Sequence, residues 1–226
     1  AGARPRDSQG ILCLATTGYG LCRQVGDLVF RNYNTNNSAL SDNSITAFCE
    51  DGRGRIWTGT VTGRLNYISR SGSETVRIPE GHTSDEARSI DVIFGMTYDS
   101  INDYIWITAH NGLYIYDLGK SAYSRYPGKT AACFGACIAS GRLWVSGFDG
   151  LSVIDLETLE SKVLEGIPVC MSLVPDGDTL WAGTYGSGLC RLDNCLSEKP
   201  DITFWSEKDG LADNQIQSLL LDGYYL

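Results

Sequence analysis

The chain has 226 residues, a length that allows one large domain or two small ones. With 42% hydrophobic and 20% charged residues it has an ordinary globular balance, which excludes intrinsic disorder. Eighteen Lys plus Arg against 27 Asp plus Glu leave a formal charge of −9, a balance without the long-range field that draws in nucleic acid or an anionic membrane surface.

In chain order, residues 1–6 form a polar leader with no hydrophobic stretch of signal-peptide length. The chain is therefore read as cytoplasmic, or as one whose targeting segment has been removed. Asp7 to Thr16 then aligns position by position with Asp51 to Thr60, with Cys13 in the place of Trp57. Strands are expected at Ser44–Glu50, Ile90–Tyr98, Ala132–Ala139 and Ile167–Val174. Each precedes one of four similar segments: Arg55–Thr60, Tyr104–Ala109, Arg142–Gly147 and Thr179–Thr184. Each of these is followed by a Gly and a second apolar strand, as in Gly188-Leu189-Cys190. The Trp-to-Trp steps of 49, 38 and 37 residues are those of four-stranded propeller blades. The first step is longest because of a polar insertion at Thr75–Ala87, read as a functional loop or a flap. The repeated Trp is expected to fill the space between blades.

The first copy lacks its innermost strand, and Gln215–Gly223 has the character of the missing piece. These features predict an all-β, five-bladed β-propeller of four-stranded blades forming one domain over 1–226. Residues 215–222 would close the ring beside 11–17, removing both exposed sheet edges. The alternative is part of a larger ring. No apolar run reaches the ~18 residues needed to cross a bilayer. The eight cysteines include no CxxC pair and lie mostly in strand-like runs, so they are read as buried free thiols, with Cys190/Cys195 and Cys13/Cys22 as the pairs to check for bridging.

The run Asn43–Thr60 and the run Gly210–Asp222 resemble the two-component regulator propeller repeat: an Asn, an apolar strand, Asp-x-x-Gly, Ile/Leu-Trp-x-Gly-Thr and a Gly-Leu. That resemblance implies a non-enzymatic sensor propeller, the periplasmic part of a two-component system of Bacteroidetes type that responds to glycan fragments. A protein-interaction propeller is the alternative, and a lyase or hydrolase using His110 a further one. The partner implied is an oligosaccharide or other small molecule, with a homodimer left open and neither nucleic acid nor direct membrane contact expected.

No catalytic residues, metal site or cofactor are assigned. The Asp-x-x-Gly turns lack the alternating acids of a calcium loop and are read as hairpin turns. The candidate ligand face is made of loops at a channel mouth: Tyr19, Thr62, His110, Asn111, Phe148, Asp149 and Tyr185, with Arg88 from a loop leading into an innermost strand. Aromatic faces beside amides and carboxylates suit sugar rings, which present C–H faces and hydroxyl edges. Asn43 and Asn214 share a repeat position and are read as caps of loop backbone.

Overall fold

A computed structural model of the chain describes residues 6–72, 74–78, 90–129, 131–197 and 199–221. Among the described residues it is all-β, with 19 strands and one three-residue 3-10 turn at Glu207–Asp209. The chain divides into two compact units that part at residue 130.

The first unit, residues 3–130, holds three antiparallel sheets. They are β1 (Cys13–Thr16), β2 (Gly20–Gly26), β3 (Val29–Tyr33); β4 (Ile45–Glu50), β5 (Ile56–Thr60), β6 (Leu65–Ile68), β7 (Thr75–Arg77); and β8 (Ile93–Asp99), β9 (Tyr104–Ala109), β10 (Gly112–Asp117), β11 (Ala122–Arg125). The second unit holds β12 (Cys133–Ala139), β13 (Arg142–Gly147), β14 (Gly150–Asp155), β15 (Ser161–Leu164) and β16 (Cys170–Asp176), β17 (Thr179–Thr184), β18 (Leu189–Asp193), β19 (Asp201–Trp205). Each sheet is an antiparallel meander, the blade of a β-propeller fold. Within the first unit β1 neighbours β4 and β4 neighbours β8; within the second, β12 neighbours β16.

The first blade departs from the expected four strands, and the expected closing strand is not shown. The first blade has three strands, and β1 pairs with β2 alone. Residues 215–221 form no strand, and their pairing with residues 11–17 is not shown. The fifth blade holds their beginning instead. The Asn214 carbonyl accepts N–H bonds from Gly186 (3.1 Å) and Gly188 (2.8 Å), and the Ile216 N–H donates to the Thr184 carbonyl (2.9 Å). The Asn43 carbonyl does the same for Gly18 and Gly20. A Cβ on Gly183 would meet Ile216 Cγ2 at 2.7 Å, as one on Gly59 would meet Ile93 Cγ2 at 2.6 Å. The segment therefore starts as an innermost strand starts, without the ladder that would extend it. The polar insertion is corrected in part, since Thr75–Arg77 is strand β7 and completes the second blade. Residues 79–89, with His82 and Arg88, lie outside the described residues.

The repeated Trp fills the core as expected in three blades. Trp57, Trp106 and Trp144 are 0–1% exposed, while Trp181 is half-buried. Trp57 packs on Tyr67 of its own blade and Tyr116 of the next, with centroids 5.1 and 5.3 Å away. The Asp-x-x-Gly turn serves this ring directly. Asp51 Oδ1 accepts the Arg53 and Arg55 N–H groups, and Oδ2 accepts Arg55 Nε (2.6 Å) and Trp57 Nε1 (2.7 Å). Asp99 Oδ2 likewise accepts Trp106 Nε1 at 3.2 Å. In the first blade Cys13 has no ring N–H to offer, and Asp7 Oδ2 takes Arg23 Nη2 instead (3.2 Å). In the second unit the turns shrink to Ser140-Gly141 and Gly177-Asp178, and Trp144 Nε1 and Trp181 Nε1 have no partner among the described residues. The short turn places no carboxylate beneath the ring.

All eight cysteines are free, including the two pairs singled out for bridging. Burial pushes the thiols of Cys170 and Cys190 up to about 12 and that of Cys13 to about 11, so little thiolate forms near neutrality. Native protein treated with iodoacetamide at pH 8 is expected to leave these three unmodified by mass spectrometry, with all three labelled after denaturation.

One ion pair joins the turns of two blades. Arg53 donates Nη1 to Asp103 Oδ1 (3.2 Å) and Nη2 to Oδ2 (2.8 Å), and Tyr98 Oη donates to Oδ1 (3.0 Å). The Arg53 hydrogen bonds hold the Asp103 carboxyl below its ordinary range. A depressed carboxyl stabilises the fold above its unfolded pKa and loses that contribution as pH falls through its folded value. Arg53→Ala should therefore lower the melting temperature slightly at pH 7, and the difference from wild type should shrink as pH falls below the ordinary carboxylate range. A difference that grew on acidification would contradict the assignment.

Candidate functional site

Each blade from the second to the fifth carries the same irregularity in its innermost strand. The register shifts between Ile45 and Ala47, Ile93 and Gly95, Cys133 and Gly135, and Cys170 and Ser172. The extra residue of each bulge is Thr46, Phe94, Phe134 or Met171, and all four are half-buried. A bulge leaves one residue outside the ladder and re-aims its side chain.

The loop after the second strand meets this bulge. Its first residue is Val61, His110, Phe148 or Tyr185, and its N–H donates to the carbonyl just before the innermost strand: Ser44 (3.1 Å), Val92 (2.9 Å), Ala132 (3.1 Å) and Val169 (2.9 Å). With the backbone so held, the side chain is left in solvent: Phe148 is 65% exposed and Tyr185 62%. The loop closes on a Gly whose place is fixed sterically. In the fifth blade Gly188 has φ +79°, and a Cβ there would lie 1.9 Å from the Trp205 carbonyl oxygen.

The second unit brings Phe134 and Phe148 together edge to face, with centroids 4.9 Å apart, and exposed Asp149 follows Phe148 in the loop. Tyr185 stands at the matching place in the next blade. In the first unit, Phe94 meets the His110 ring edge to face at 6.4 Å. His110 Nδ1 lies 3.0 Å from Asp91 Oδ2, and the Asn111 side-chain oxygen accepts the Asp91 N–H at 3.1 Å. Asp91 thus ties His110 to Asn111. Thr62 is spent on loop structure, its Oγ1 donating to Asp42 Oδ2 at 2.9 Å. Tyr19 is 74% exposed in the first blade's loop. Asn43 and Asn214 cap backbone: their side-chain oxygens accept the N–H groups of Thr35 (2.8 Å) and Glu207 (2.9 Å).

Sequence reasoning named the loop residues but not the side chains that meet them, Phe94, Phe134 and Asp91. The first two lie inside runs that read as uniform strand, and a bulge leaves no composition signal. Asp91 is 19 residues from His110 and meets it through the pairing of β8 with β9. Among the described residues no group of three or more His, Cys, Asp or Glu is placed to hold a metal ion. No helix among them is long and apolar enough to cross a membrane.

The blades define a propeller, and one repeat carries a family signature: residues 39–62 match the two component regulator propeller family, at the second blade's innermost strands where the resemblance was read. No curated protein matches the chain. Among solved structures, the extracellular domain of the putative one component system BT4673 from B. thetaiotaomicron is similar with a TM-score of 0.72 and 20% identity, over 89% of this chain and 30% of that one. The extracellular domain of the putative hybrid two component system BT3049 from the same organism gives a TM-score of 0.67 and 17% identity, over 88% and 29%. PorZ, a surface component of the type-IX secretion system of Porphyromonas gingivalis, gives 0.71 and 16%, over 98% and 35%. At these identities the likeness is one of fold, and the chain spans about a third of the length of each.

Proposed function

We propose that this propeller is the non-enzymatic, extracytoplasmic sensing part of a two-component regulatory protein and that it takes up glycan fragments at its bulge-and-loop pairs. The regulator-propeller repeat at residues 39–62 supports the regulatory half of this reading, and the likeness to extracellular sensor domains supports the location. One observation carries the ligand class: Phe148, in solvent and braced edge to face by the bulge residue Phe134, beside the carboxylate of Asp149. A fixed ring face suits the C–H face of a pyranose, and the neighbouring carboxylate accepts hydroxyl hydrogen bonds. His110, held by Asp91 and packed on Phe94, offers a second such place in the first unit. A thermal-shift screen of the full chain against neutral oligosaccharides tests the reading. At least one sugar should raise the melting temperature by mass action. A flat response across a broad panel would count against a glycan ligand.

A further inference from the structure

The first and fifth blades each leave one face open. In the first blade Leu14, Cys22 and Asn32 pair across the strands, as do Gln24 and Phe30, so strand alternation puts all five on one face. Cys13, Leu21 and Tyr33 lie on the other face, where they are buried with Ile45, Ile56 and Ile68 of the second blade. On the open face Leu14 is 44% exposed and Phe30 41%. The same face of the second blade, through Ile56, Thr58, Asn66 and Ile68, is buried. The repeat thus covers this face wherever a blade precedes it.

The fifth blade shows the reverse. Trp181, Arg191 and Thr203 pair across its strands, and Leu189 pairs with Trp205. Trp181, Leu189, Arg191 and Trp205 are only half-buried. On the opposite face Leu180, Ala182, Cys190 and Leu192 are fully buried with Trp144 and Leu151 of the fourth blade. The Trp181 and Trp205 rings lie 5.7 Å apart, and the Arg191 guanidinium is 5.3 Å from the Trp181 centroid.

The protein already contains two contacts between faces of these two kinds. Trp57 of the second blade clusters with Ile105, Ile107 and Tyr116 of the third, and Trp144 of the fourth with Leu180 and Leu192 of the fifth. The Trp181/Trp205 face is a third Trp face, and the Leu14/Phe30 face is of the kind that such a face receives. The backbone fits as well. Among the described residues β1 pairs with β2 alone, so the first blade lacks an innermost strand. Residues 214–216 lie along the fifth blade as an innermost strand begins, and Leu220 further on is exposed. Charge sets the direction: residues 1–77 carry a net +3 and residues 131–226 a net −9, so unlike ends attract and like ends repel.

We infer that the open face of the first blade docks on the Trp181/Trp205 face of a second copy of this chain. The contact is heterologous: each copy gives one face and receives on the other, so copies add head to tail in a ring or a filament. It uses strand faces rather than loops and does not depend on the ligand reading.

Sedimentation equilibrium of the full chain over a range of concentrations tests this, with Phe30→Glu and Thr203→Arg as variants. Both residues are exposed, so each change charges one face and leaves the core intact, which matching melting temperatures would verify. The wild-type mass should rise with concentration, and association should weaken about tenfold or more in either variant alone. An equimolar mixture of the two variants should associate again, because it holds one intact face of each kind. Wild type that stays monomeric at every concentration, as a chain closing on itself would, overturns the inference. So does association that survives either variant, which would mark a contact between like faces, or a mixture of the folded variants that restores nothing.

Discussion

Trp57→Ala is expected to lower the unfolding free energy by about 3–5 kcal/mol, the range for emptying a buried aromatic site. The ring is 1% exposed and lies between two blades, touching Tyr67 in one and Tyr116 in the other, with the Arg55 guanidinium 5.1 Å from its centroid. The site cannot collapse easily, because Leu65 is anchored in the ladder of one blade and Ile105 and Ile107 of the same buried cluster in that of the next. Equilibrium urea denaturation should show the midpoint falling with little change in slope. The equivalent change at half-buried Trp181 should cost less, since part of that ring is already in water.

Asp51→Ala should cost about 3 kcal/mol by the same measurement, although it removes one small side chain. Its fully buried carboxylate accepts two backbone N–H groups, Arg55 Nε and Trp57 Nε1, and all four donors lose their acceptor together. Asp51→Asn keeps the shape but puts an N–H₂ where an acceptor is needed, so it should recover part of the loss. A double-mutant cycle with Trp57→Phe should show coupling, because the Trp57 N–H and the Asp51 carboxylate are one interaction. Additive losses would contradict that pairing. Asp149→Ala, in an exposed loop, should leave stability nearly unchanged.

These contrasts show how much of the molecule the sequence discloses. The spacing of Trp57, Trp106, Trp144 and Trp181 makes the blades legible, since an apolar ring repeated at one strand position must be buried between sheets. The partner of Asp51 is harder to read, because Asp-x-x-Gly forms a good turn in any context and the reach to the Trp appears only once the strands pair. Closure by residues 215–222 rested on the likeness of that run to an innermost strand. Its first residues do behave as one against Thr184 and Gly183, but a ladder needs a partner in register, which composition does not specify.

The candidate site divides in the same way. The aromatic and polar loop residues stand out because each precedes a Gly that only a tight turn requires. The bulges that bring Phe94 and Phe134 to them depend on a one-residue register slip, for which no residue type is obligatory. The net charge misleads at this scale: −9 describes the whole chain and hides the nine arginines of residues 1–77.

On the proposed function, the propeller takes up its ligand on the ring of Phe148 braced by Phe134. That uptake is tested most directly by titrating the wild-type chain and Phe148→Ala with the sugar that gives the largest thermal shift, following binding by calorimetry and checking melting temperatures in parallel. Binding that falls at least tenfold in Phe148→Ala, with the melting temperature unchanged because the side chain is 65% exposed, is the predicted result. Equal affinity in the two proteins would place the ligand elsewhere and contradict the account.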